Sequence, residues 1–366
     1  MKAQHLELTN FRNYESQQLD FGDGVNVIYG DNAQGKTNIL EAVYFFAMGK
    51  SNRARRDLEL IRHGCDSARI LLNFTDSERE NLAEAEIFRD KRKRITLNEI
   101  PIRRNSELVR RFFVVYFGPE YLGLVKDGPR IRRQNFDILI SQMRPGYLGA
   151  LGELKKIVDS KNALLRMEHP NLTMLDIMDE KLIEISSNII CYRDYYINRI
   201  GAIAAEIQNE ISGGKEKLEF RYNSCAGDVR GMCAADIAKL MREKVAEARQ
   251  REMRLCETVI GPHREDIGFW VNDTEAKLFA SQGQQKTIVM AEKLAEVELI
   301  RTEIGERPVL LLDDIMSELD RSRREYILSA TRHLQILITC TDTDGMDVPP
   351  EARRIEVSDG RAEIIA

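Results

Sequence analysis

Hydrophobic residues follow strand-like spacing towards both ends of this chain and helix-like spacing in its middle. Residues 4–9 alternate between apolar and polar, residues 25–29 form a short apolar run, and residues 38–48 carry apolar side chains at helical spacing. Alternation and short apolar runs are typical of strands, whereas spacings of three and four residues are typical of helices. Further strand-like segments follow at 68–73, 84–88, 94–97 and 112–117. The chain therefore opens as an α/β fold and continues into antiparallel strands.

The middle of the chain, residues 130–256, has a predominantly helical pattern. Pro or Gly interrupts it at 145–146, 169–171 and 213–214, and both residue types commonly end helices. The longest unbroken run, 172–211, places Leu, Ile, Met and Tyr three and four residues apart, as expected for an antiparallel helix pair. This pattern predicts a helical lobe inserted into the α/β fold.

Strand-like segments return near the end of the helical region. They are 218–222, 267–271, 308–312 and 335–339, with a helical segment at about 284–302. We therefore predict that residues 1–125 and 257–366 form one α/β lobe, and that residues 126–256 form a mainly helical inserted lobe.

Composition and cysteine usage narrow the class of protein. The 366 residues are 43% hydrophobic and 31% charged, and no window approaches the apolar length that a membrane helix needs. The first residues lack the apolar core and cleavage site of a signal peptide, so we expect a cytoplasmic protein. The 6 cysteines form no C-x-x-C pair, which argues against a metal site and for reduced thiols.

Charge is unevenly distributed along the chain. The formal net charge is −5, yet residues 50–133 hold 20 Lys and Arg against 13 Asp and Glu, so this segment carries +7. A basic region on an acidic protein is typical of nucleic-acid binding. The alternative is an ordinary solvated charged face, and the sequence leaves both interpretations open.

A phosphate-binding loop is the clearest chemical motif. Residues 30–37 follow the pattern G-x-x-x-x-G-K-[ST] between a predicted strand and a predicted helix. In a P-loop the glycines let backbone N–H groups cradle phosphate oxygens, Lys36 reaches the β- and γ-phosphates, and the Thr37 hydroxyl ligates Mg²⁺. The residues predicted to bind ATP here are Gly30, Asp31, Asn32, Ala33, Gln34, Gly35, Lys36, Thr37 and Asn38.

An apolar strand that ends in two acids is the expected partner of this loop. Residues 308–314 read Pro-Val-Leu-Leu-Leu-Asp-Asp, the Walker B arrangement. We predict that Asp313 binds Mg²⁺ with Thr37, and that Asp314 orients or deprotonates the attacking water. The predicted catalytic residues are Asp314 and Lys36.

Three further features indicate the type of ATPase. Residues 281–286 precede a predicted helix and resemble the ABC-type signature, L-S-G-G-Q. Asp320 stands at the D-loop spacing, and Asp342 follows the last core strand. Asp313 follows Lys36 by 277 residues, so an insertion splits the ATPase, as in the SMC-like group that acts on chromosomes.

Segments along most of the chain resemble the RecF family of that group. These segments are Asn10-Phe11-Arg12-Asn13-Tyr14, Gly49-Lys50-Ser51, Arg56-Asp57-Leu58-Glu59-Leu60-Ile61, Pro119-Glu120, Leu124-Val125-Lys126 and Gly261-Pro262-His263-Arg264-Glu265-Asp266. The insertion is also too short and too often broken for the coiled-coil arm of an SMC protein. The resemblance implies an α/β, ABC-type P-loop ATPase head, with mixed and antiparallel sheets and an inserted helical lobe.

The resemblance also implies a function. RecF-like proteins are DNA replication and repair ATPases that bind ATP, form ATP-dependent homodimers and recognise double-stranded DNA near single-strand gaps. They help RecO and RecR to load RecA. On this basis Ser281, Gly283 and Gln284 contact the ATP of a partner subunit, and Arg12 contacts a nucleotide phosphate. Arg12 could instead be an ordinary turn residue.

Three departures from the transporter pattern predict weak ATPase activity. Asp314 stands where transporters have Glu, and its shorter side chain holds the carboxylate further from the attacking water. Thr341 occupies the place of the switch histidine, and Gln282 that of a signature Gly. We therefore expect ATP to act mainly as a clamp that holds two heads together.

Candidate DNA contacts are basic residues, because phosphate binding requires clustered cations. They are Arg92, Lys93, Arg94, Arg103, Arg104, Arg130, Arg132 and Arg133. No base-reading motif is present, so binding should be independent of DNA sequence and strongly dependent on salt. His263 with Arg264 fits either a catalytic role or a turn that packs a strand.

Two other functions fit part of the sequence. A non-DNA ABC-type ATPase, such as a transport-coupling or regulatory subunit, explains the ATP motifs but neither the basic segment nor the helical insertion. A small-molecule P-loop kinase has no need for the signature or the D-loop.

Overall fold

The chain forms two compact units in a computed structural model that describes residues 1–342 and 349–365. The first unit is Met1–Leu122 with Val289–Ala366, and the second is Gly123–Ile288. The sequence-based boundaries therefore differ at 123–125 and 257–288, which belong to the second unit.

The strands and helices are numbered here in chain order. The strands are β1 Lys2–Phe11, β2 Tyr14–Asp20, β3 Val25–Tyr29, β4 Ser67–Thr75, β5 Glu80–Phe88, β6 Arg94–Leu97, β7 Ile100–Ile102, β8 Val114–Phe117, β9 Leu218–Asn223, β10 Asp266–Val271, β11 Thr274–Glu275, β12 Val309–Asp313, β13 Ile336–Cys340, β14 Arg353–Ser358 and β15 Arg361–Ile364. The helices are α1 Lys36–Met48, α2 Asn105–Leu108, α3 Pro129–Met143, α4 Pro145–Leu165, α5 Leu172–Ile211, α6 Ala234–Leu255, α7 Ala276–Phe279, α8 Gln282–Ile304 and α9 Arg321–Ala330.

The first unit contains two six-stranded sheets. One sheet is antiparallel, in the order β2-β1-β4-β5-β6-β7. The other is mixed, in the order β15-β14-β3-β13-β12-β8, with only the β14–β15 pair antiparallel. Strands β8, β12 and β13 are buried along their whole length, which explains their continuous apolar runs.

Parallel pairing positions the candidate site. Strand β13 lies between β3 and β12 and runs parallel to both. The loop after β3 and the carboxylates that end β12 therefore lie at one edge of the sheet, where ligands of open α/β sheets commonly bind.

The second unit combines long helices with a three-stranded sheet. The run 172–211 is one continuous 40-residue helix, α5, packed against α4 and α6. Lys161 on α4 joins these helices, since its Nζ lies 2.5 Å from Asp179 on α5 and 2.6 Å from Glu252 on α6. No helix in the described ranges has the length and apolarity needed to cross a membrane.

The three-stranded sheet explains the shifted boundary. Strand β10 pairs antiparallel with β9 and with β11. Strand β9 lies inside the region predicted as the helical lobe. Because β10 pairs with β9, β10 belongs to the same unit. Pairing between strands that are distant in sequence is decided by tertiary packing, not by local pattern.

Candidate nucleotide site and basic surface

The loop after β3 follows a path that requires glycine at two positions. Gly30 and Gly35 adopt φ of 143° and 118°, which L side chains rarely adopt. A Cβ on Gly30 would lie 2.2 Å from the Val357 carbonyl oxygen, and one on Gly35 would lie 2.6 Å from the Asn13 amide nitrogen. Both glycines of the motif are therefore needed for the loop to follow this path.

Side chains from the β1–β2 turn brace the loop. The Asn13 amide donates to the Gln34 carbonyl at 2.6 Å, and the Tyr14 hydroxyl donates to the Gly35 carbonyl at 3.2 Å. The Asp359 backbone N–H donates to the Gln34 side chain at 2.7 Å. Asn13 and Tyr14 belong to the 10–14 segment. These contacts therefore give that segment a structural role, which is to support the phosphate loop.

The residues at the start of α1 favour the binding of an anion. Helix α1 follows Gly35, has no side-chain cap and carries no acid in its first turn. The N–H groups and the dipole at the start of this helix therefore favour a phosphate. Lys36 is buried at 4% exposure and donates to the carbonyls of Gly30 (2.6 Å) and Asp31 (2.8 Å), which holds its ammonium inside the loop.

Asp313 is the centre of the polar network at the end of β12. Its Oδ1 accepts hydrogen bonds from the hydroxyls of Thr37 (2.8 Å) and Thr339 (2.7 Å), and its Oδ2 accepts one from Tyr116 (2.8 Å). Direct contact between the Thr37 hydroxyl and this carboxylate means that one cation can reach both oxygens. Hydroxyl and carboxylate oxygens are ligands suited to Mg²⁺.

Asp314 occupies a constrained position next to this network. Its φ is 50°, an unusual backbone for a non-glycine residue, and its N–H donates to the Thr339 hydroxyl at 2.9 Å. Burial raises the pKa of Asp314, the charge of Asp313 raises it further, and Lys36 opposes both effects. Raised carboxylate pKa values are typical of groups that exchange protons.

Glu120 is a third carboxylate of this site that sequence reasoning did not assign. Burial raises its pKa, and the nearby charge of Asp313 raises it too. The hydroxyl of Tyr116, which donates to Asp313, opposes this rise in the Glu120 pKa. The available signal was its position: Gly118-Pro119-Glu120 follows β8, the parallel neighbour of β12.

Glu41 is a second unassigned carboxylate, buried on α1 at 1% exposure. Arg12 binds it with two hydrogen bonds, of 2.8 and 2.6 Å, and donates to the Glu59 carbonyl at 2.8 Å. Ser51 also donates to Glu41, and an Arg53 guanidinium nitrogen lies 3.9 Å from it. Arg12 therefore uses three of its five N–H groups in these contacts.

The signature residues lie in the second unit, at the start of α8. The Ser281 hydroxyl accepts from the Gln284 N–H at 3.2 Å, while the Gln284 side chain accepts from the Ser281 N–H at 2.9 Å. This reciprocal cap is a capping box. The preceding Leu278 and Phe279 are 67% and 71% exposed.

The basic candidates of the first unit are mostly exposed and lie around the β5–β6 hairpin. Arg92, Arg103 and Arg104 are exposed, and Arg94 lies 3.7 Å from Glu86. Lys93 differs, because it is half-buried, pairs with Asp57 at 2.8 Å and donates to the Gly49 carbonyl at 2.6 Å.

The three candidate DNA contacts on α3 differ in how far their side chains are buried. Arg130 is exposed. Arg132 is only 2% exposed, and its guanidinium binds the Asp266 carboxylate at 2.7 and 2.9 Å, so its assignment as a DNA contact is corrected to a buried ion pair. Arg133 is half-buried and donates to the Glu265 carbonyl, and burial lowers its pKa.

Comparisons with known proteins agree with this arrangement. The family model described as the RecF/RecN/SMC N terminal domain matches residues 2–362. A DNA replication and repair protein RecF from Clostridium perfringens is 39% identical over 346 residues, which are 94% of each chain. The RecF of Ruminiclostridium cellulolyticum is 37% identical over 349 residues, again 94% of each.

This chain belongs to the RecF family.

Solved structures agree with the RecF assignment. The structure of the recombination mediator protein RecF with ATPrS in the RecFOR pathway superposes with a TM-score of 0.94 at 32% identity, covering 100% of this chain and 98% of that one. An SMC head bound to the C-winged helix domain of ScpA has a TM-score of 0.58 at 16% identity, a likeness of fold alone. The predicted α/β, ABC-type ATPase head with mixed and antiparallel sheets is confirmed.

His263 of this RecF-family chain lies in a packed turn of the second unit. Its Nε2 is 3.3 Å from the Thr258 carbonyl oxygen, and its buried Nδ1 has no hydrogen-bond partner among the described residues. Burial lowers the pKa of His263, and Arg133 lowers it further. These surroundings favour the packing interpretation over the catalytic one.

Proposed function

We propose that this RecF-family chain is an ATP-dependent DNA-binding protein of replication and recombinational repair. It binds duplex DNA near single-strand gaps as an ATP-induced dimer, and with RecO and RecR it assists RecA loading. The observation that carries the ATP part is the Asp313 network beside the Lys36 loop. The relatives named above, DNA replication and repair RecF proteins, support the cellular role.

ATP binding follows from the charge of the loop. The N–H groups before α1 and the Lys36 ammonium bind the phosphates, and Lys36 exchanges its carbonyl partners for phosphate oxygens. The Thr37 hydroxyl and Asp313 would hold Mg²⁺, which when bound would neutralise phosphate charge. The related structures with ATPrS and with ATP support this assignment.

Hydrolysis is assigned to Asp314. Its carboxylate adjoins the metal ligand Asp313, and it orients the attacking water or accepts its proton. The side chain is one carbon shorter than the usual Glu, so we expect turnover to be slow and ATP to act mainly as a clamp. Tyr116 positions Asp313, and Glu120 adds negative charge on the same side of the site.

Dimerisation is supported by the exposed signature. The Ser281 hydroxyl, the Gly283 N–H and the start of α8 can bind an anion, and this site belongs to a different unit from the P-loop. Exposed Leu278 and Phe279 next to it form an apolar surface of the kind found at protein interfaces. We assign this surface to the ATP-dependent contact with a second copy of the chain.

DNA binding is assigned to the exposed arginines around the β5–β6 hairpin, together with Arg130. These side chains can contact phosphates without reading bases. Neutralising several phosphates releases counterions, so affinity should fall steeply as salt rises. A log–log salt slope near zero would contradict this assignment.

The decisive experiment measures DNA binding by fluorescence anisotropy with and without ATP, using gapped and blunt duplexes. The wild type should bind gapped duplex more tightly with ATP, and Lys36→Met should lose this gain while it retains the weaker binding expected without nucleotide. A wild type without any ATP-dependent gain would favour the alternative, a non-DNA ABC-type ATPase.

A further inference from the structure

A cavity of about 670 Å³ opens beside the β5–β6 hairpin of the first unit. We call it the hairpin pocket and define it by Leu58, Phe88, Lys91, Arg92, Lys93 and Arg103. None of these residues takes part in the Asp313 network, so the pocket is distinct from the candidate nucleotide site. Its chemistry combines an aromatic ring, an apolar floor and a basic rim.

Contacts at the base of the hairpin hold the pocket open. Lys93 bridges the hairpin to Asp57 at 2.8 Å and to the Gly49 carbonyl at 2.6 Å. Asn105 donates to the same carbonyl at 3.3 Å, and Arg89 donates to the Cys65 carbonyl at 2.6 Å. The walls are therefore preformed, which lowers the entropic cost of binding a ligand.

The interior of the pocket offers a flat apolar surface. The Phe88 ring is half-buried, and the Lys91 ammonium lies 3.8 Å from its centroid. Leu58 is 40% exposed at the mouth, and Ile87, Ile95 and Ile102 also line the cavity. A cation over an aromatic face is a weak contact at an exposed site, so a planar ring can displace Lys91 from Phe88.

The rim of the pocket carries excess positive charge. Five basic residues line it against two acids, and Lys93 pairs with one of those acids, Asp57. Arg92 and Arg103 are exposed, and within residues 1–342 and 349–365 no carboxylate is found at ion-pair distance from either guanidinium. Two such cations beside an aromatic ring match a base with its flanking phosphates.

We propose that the hairpin pocket binds one unpaired nucleotide of a DNA strand. The base stacks on Phe88 in place of the Lys91 ammonium, and the flanking phosphates contact Arg92 and Arg103. A paired base inside a duplex cannot enter, because its two faces are already stacked. The inference rests on the proposed DNA binding, and it supplies a physical reason for preferring gaps over continuous duplex.

The test uses the full-length chain with ATP and compares two DNA probes. One is a gapped duplex with 2-aminopurine at the first unpaired position, and the other is the same duplex without a gap. Stacking on Phe88 should quench the 2-aminopurine. Phe88→Leu, which keeps an apolar side chain, should lower affinity for the gapped probe about tenfold and leave affinity for the continuous duplex unchanged.

A matched pair of double variants tests the rim. Arg92→Gln with Arg103→Gln should weaken binding to the gapped probe more than to the continuous duplex. Arg110→Gln with Arg111→Gln removes the same charge from exposed residues outside the pocket, and should leave the ratio of the two affinities unchanged. Equal effects of both pairs on that ratio would overturn the inference.

Further outcomes separate the possible failures. If Phe88→Leu keeps the wild-type quenching and gap preference while duplex binding persists, the hairpin pocket inference is wrong and the proposed DNA binding stands. If the wild type binds neither probe, the proposed function fails, and the inference fails with it. Deoxyadenosine monophosphate is the third arm: if it displaces the gapped probe at equal concentration, the ligand is a free nucleotide and not a strand.

Discussion

At the scale of single residues, the nucleotide site depends on carboxylates held in different environments. Asp313 accepts three hydrogen bonds, which hold its carboxylate in place. Burial and the neighbouring Asp313 charge instead raise the pKa values of Asp314 and Glu120. The hydrogen-bonded Asp313 is therefore suited to metal binding, and the raised pKa of Asp314 suits it to proton exchange.

Replacing the proposed catalytic carboxylate should separate binding from hydrolysis. Asp314→Asn keeps the size of the side chain but cannot accept a proton, so ATP hydrolysis should fall by about 100-fold or more. ATP binding should persist, because Lys36 and the loop are unchanged. Phosphate release and nucleotide-binding assays measure the two effects, and an active Asp314→Asn enzyme would exclude this residue as the base.

Asp313→Asn is the companion variant and should weaken Mg²⁺-dependent ATP binding.

Buried His263 should make the folded chain less stable as the pH falls. The pKa of His263 is lowered in the folded chain, whereas an unfolded chain keeps a value of about 6.5. As pH falls below that value, the unfolded state takes up the proton first, so the free energy of unfolding decreases down to the lowered pKa. Comparing denaturant unfolding of the wild type and His263→Gln at neutral and acidic pH isolates this contribution. The variant should lose less stability on acidification, and an identical loss in both proteins would refute the prediction.

At the scale of elements, α8 carries a buried charge cluster in its first-unit part. Glu292, Lys293 and Glu296 are almost fully buried, and the Lys293 ammonium lies 2.6 Å from Glu296 and 3.4 Å from Glu292. Burial raises the pKa of Glu296 well above its usual value. Lys293 also lies 4.1 Å from the centroid of the Tyr121 ring, which contacts Tyr116 edge-on. The first-unit part of α8 therefore reaches Tyr116, the hydroxyl donor of Asp313, through Tyr121.

Removing the cation of this cluster should affect both stability and nucleotide binding. Lys293→Met leaves buried carboxylates without their positive partner, which should cost about 3–5 kcal/mol of unfolding free energy. Disturbed packing under Tyr121 and Tyr116 should also weaken ATP binding. Lys161→Met is the matched control, since it removes an equally buried lysine from the α4–α5–α6 cluster and should destabilise the chain without changing ATP affinity at a temperature where it remains folded. Equal ATP affinities for the two variants would contradict the proposed link.

At the scale of the whole molecule, the phosphate loop and the signature belong to different units of the chain. The phosphate loop and the Asp313 network lie in the first unit, and the signature lies exposed in the second. The proposed dimer would bring the signature of one copy to the phosphates of another. Binding the same ATP from two subunits makes association depend on nucleotide.

A polar substitution in the apolar surface before the signature should weaken this dimer. Phe279→Ser removes a side chain that is 71% exposed, so the fold of the isolated chain should tolerate it. Sedimentation velocity with ATP and the Asp314→Asn background should show the dimer for the parent and a mainly monomeric species for Phe279→Ser. ATP affinity of the monomer should not change. Unaltered dimerisation would move the interface away from this surface.

Short motifs and strong local patterns were predictable from the sequence. The loop at Gly30 to Thr37, the strand before Asp313 and the β6 bounds 94–97 depend on residue types a few positions apart, which local backbone sterics and burial periodicity determine. The boundary at 257–288 was not predictable in this way. It depends on β10 pairing with β9, a partner more than 40 residues earlier in the chain.

The sequence by itself determined what chemistry this chain carries: a phosphate loop, a carboxylate pair, a signature and an excess of cations between residues 50 and 133. Only the tertiary structure decided which of these groups are available. It buries Arg132 against Asp266, engages Arg12 with Glu41, brings Glu120 to the Asp313 network and leaves Arg92 and Arg103 at the rim of a pocket. The physical reason is that side-chain charge is a local property, whereas burial and ion pairing depend on neighbours that are distant in sequence.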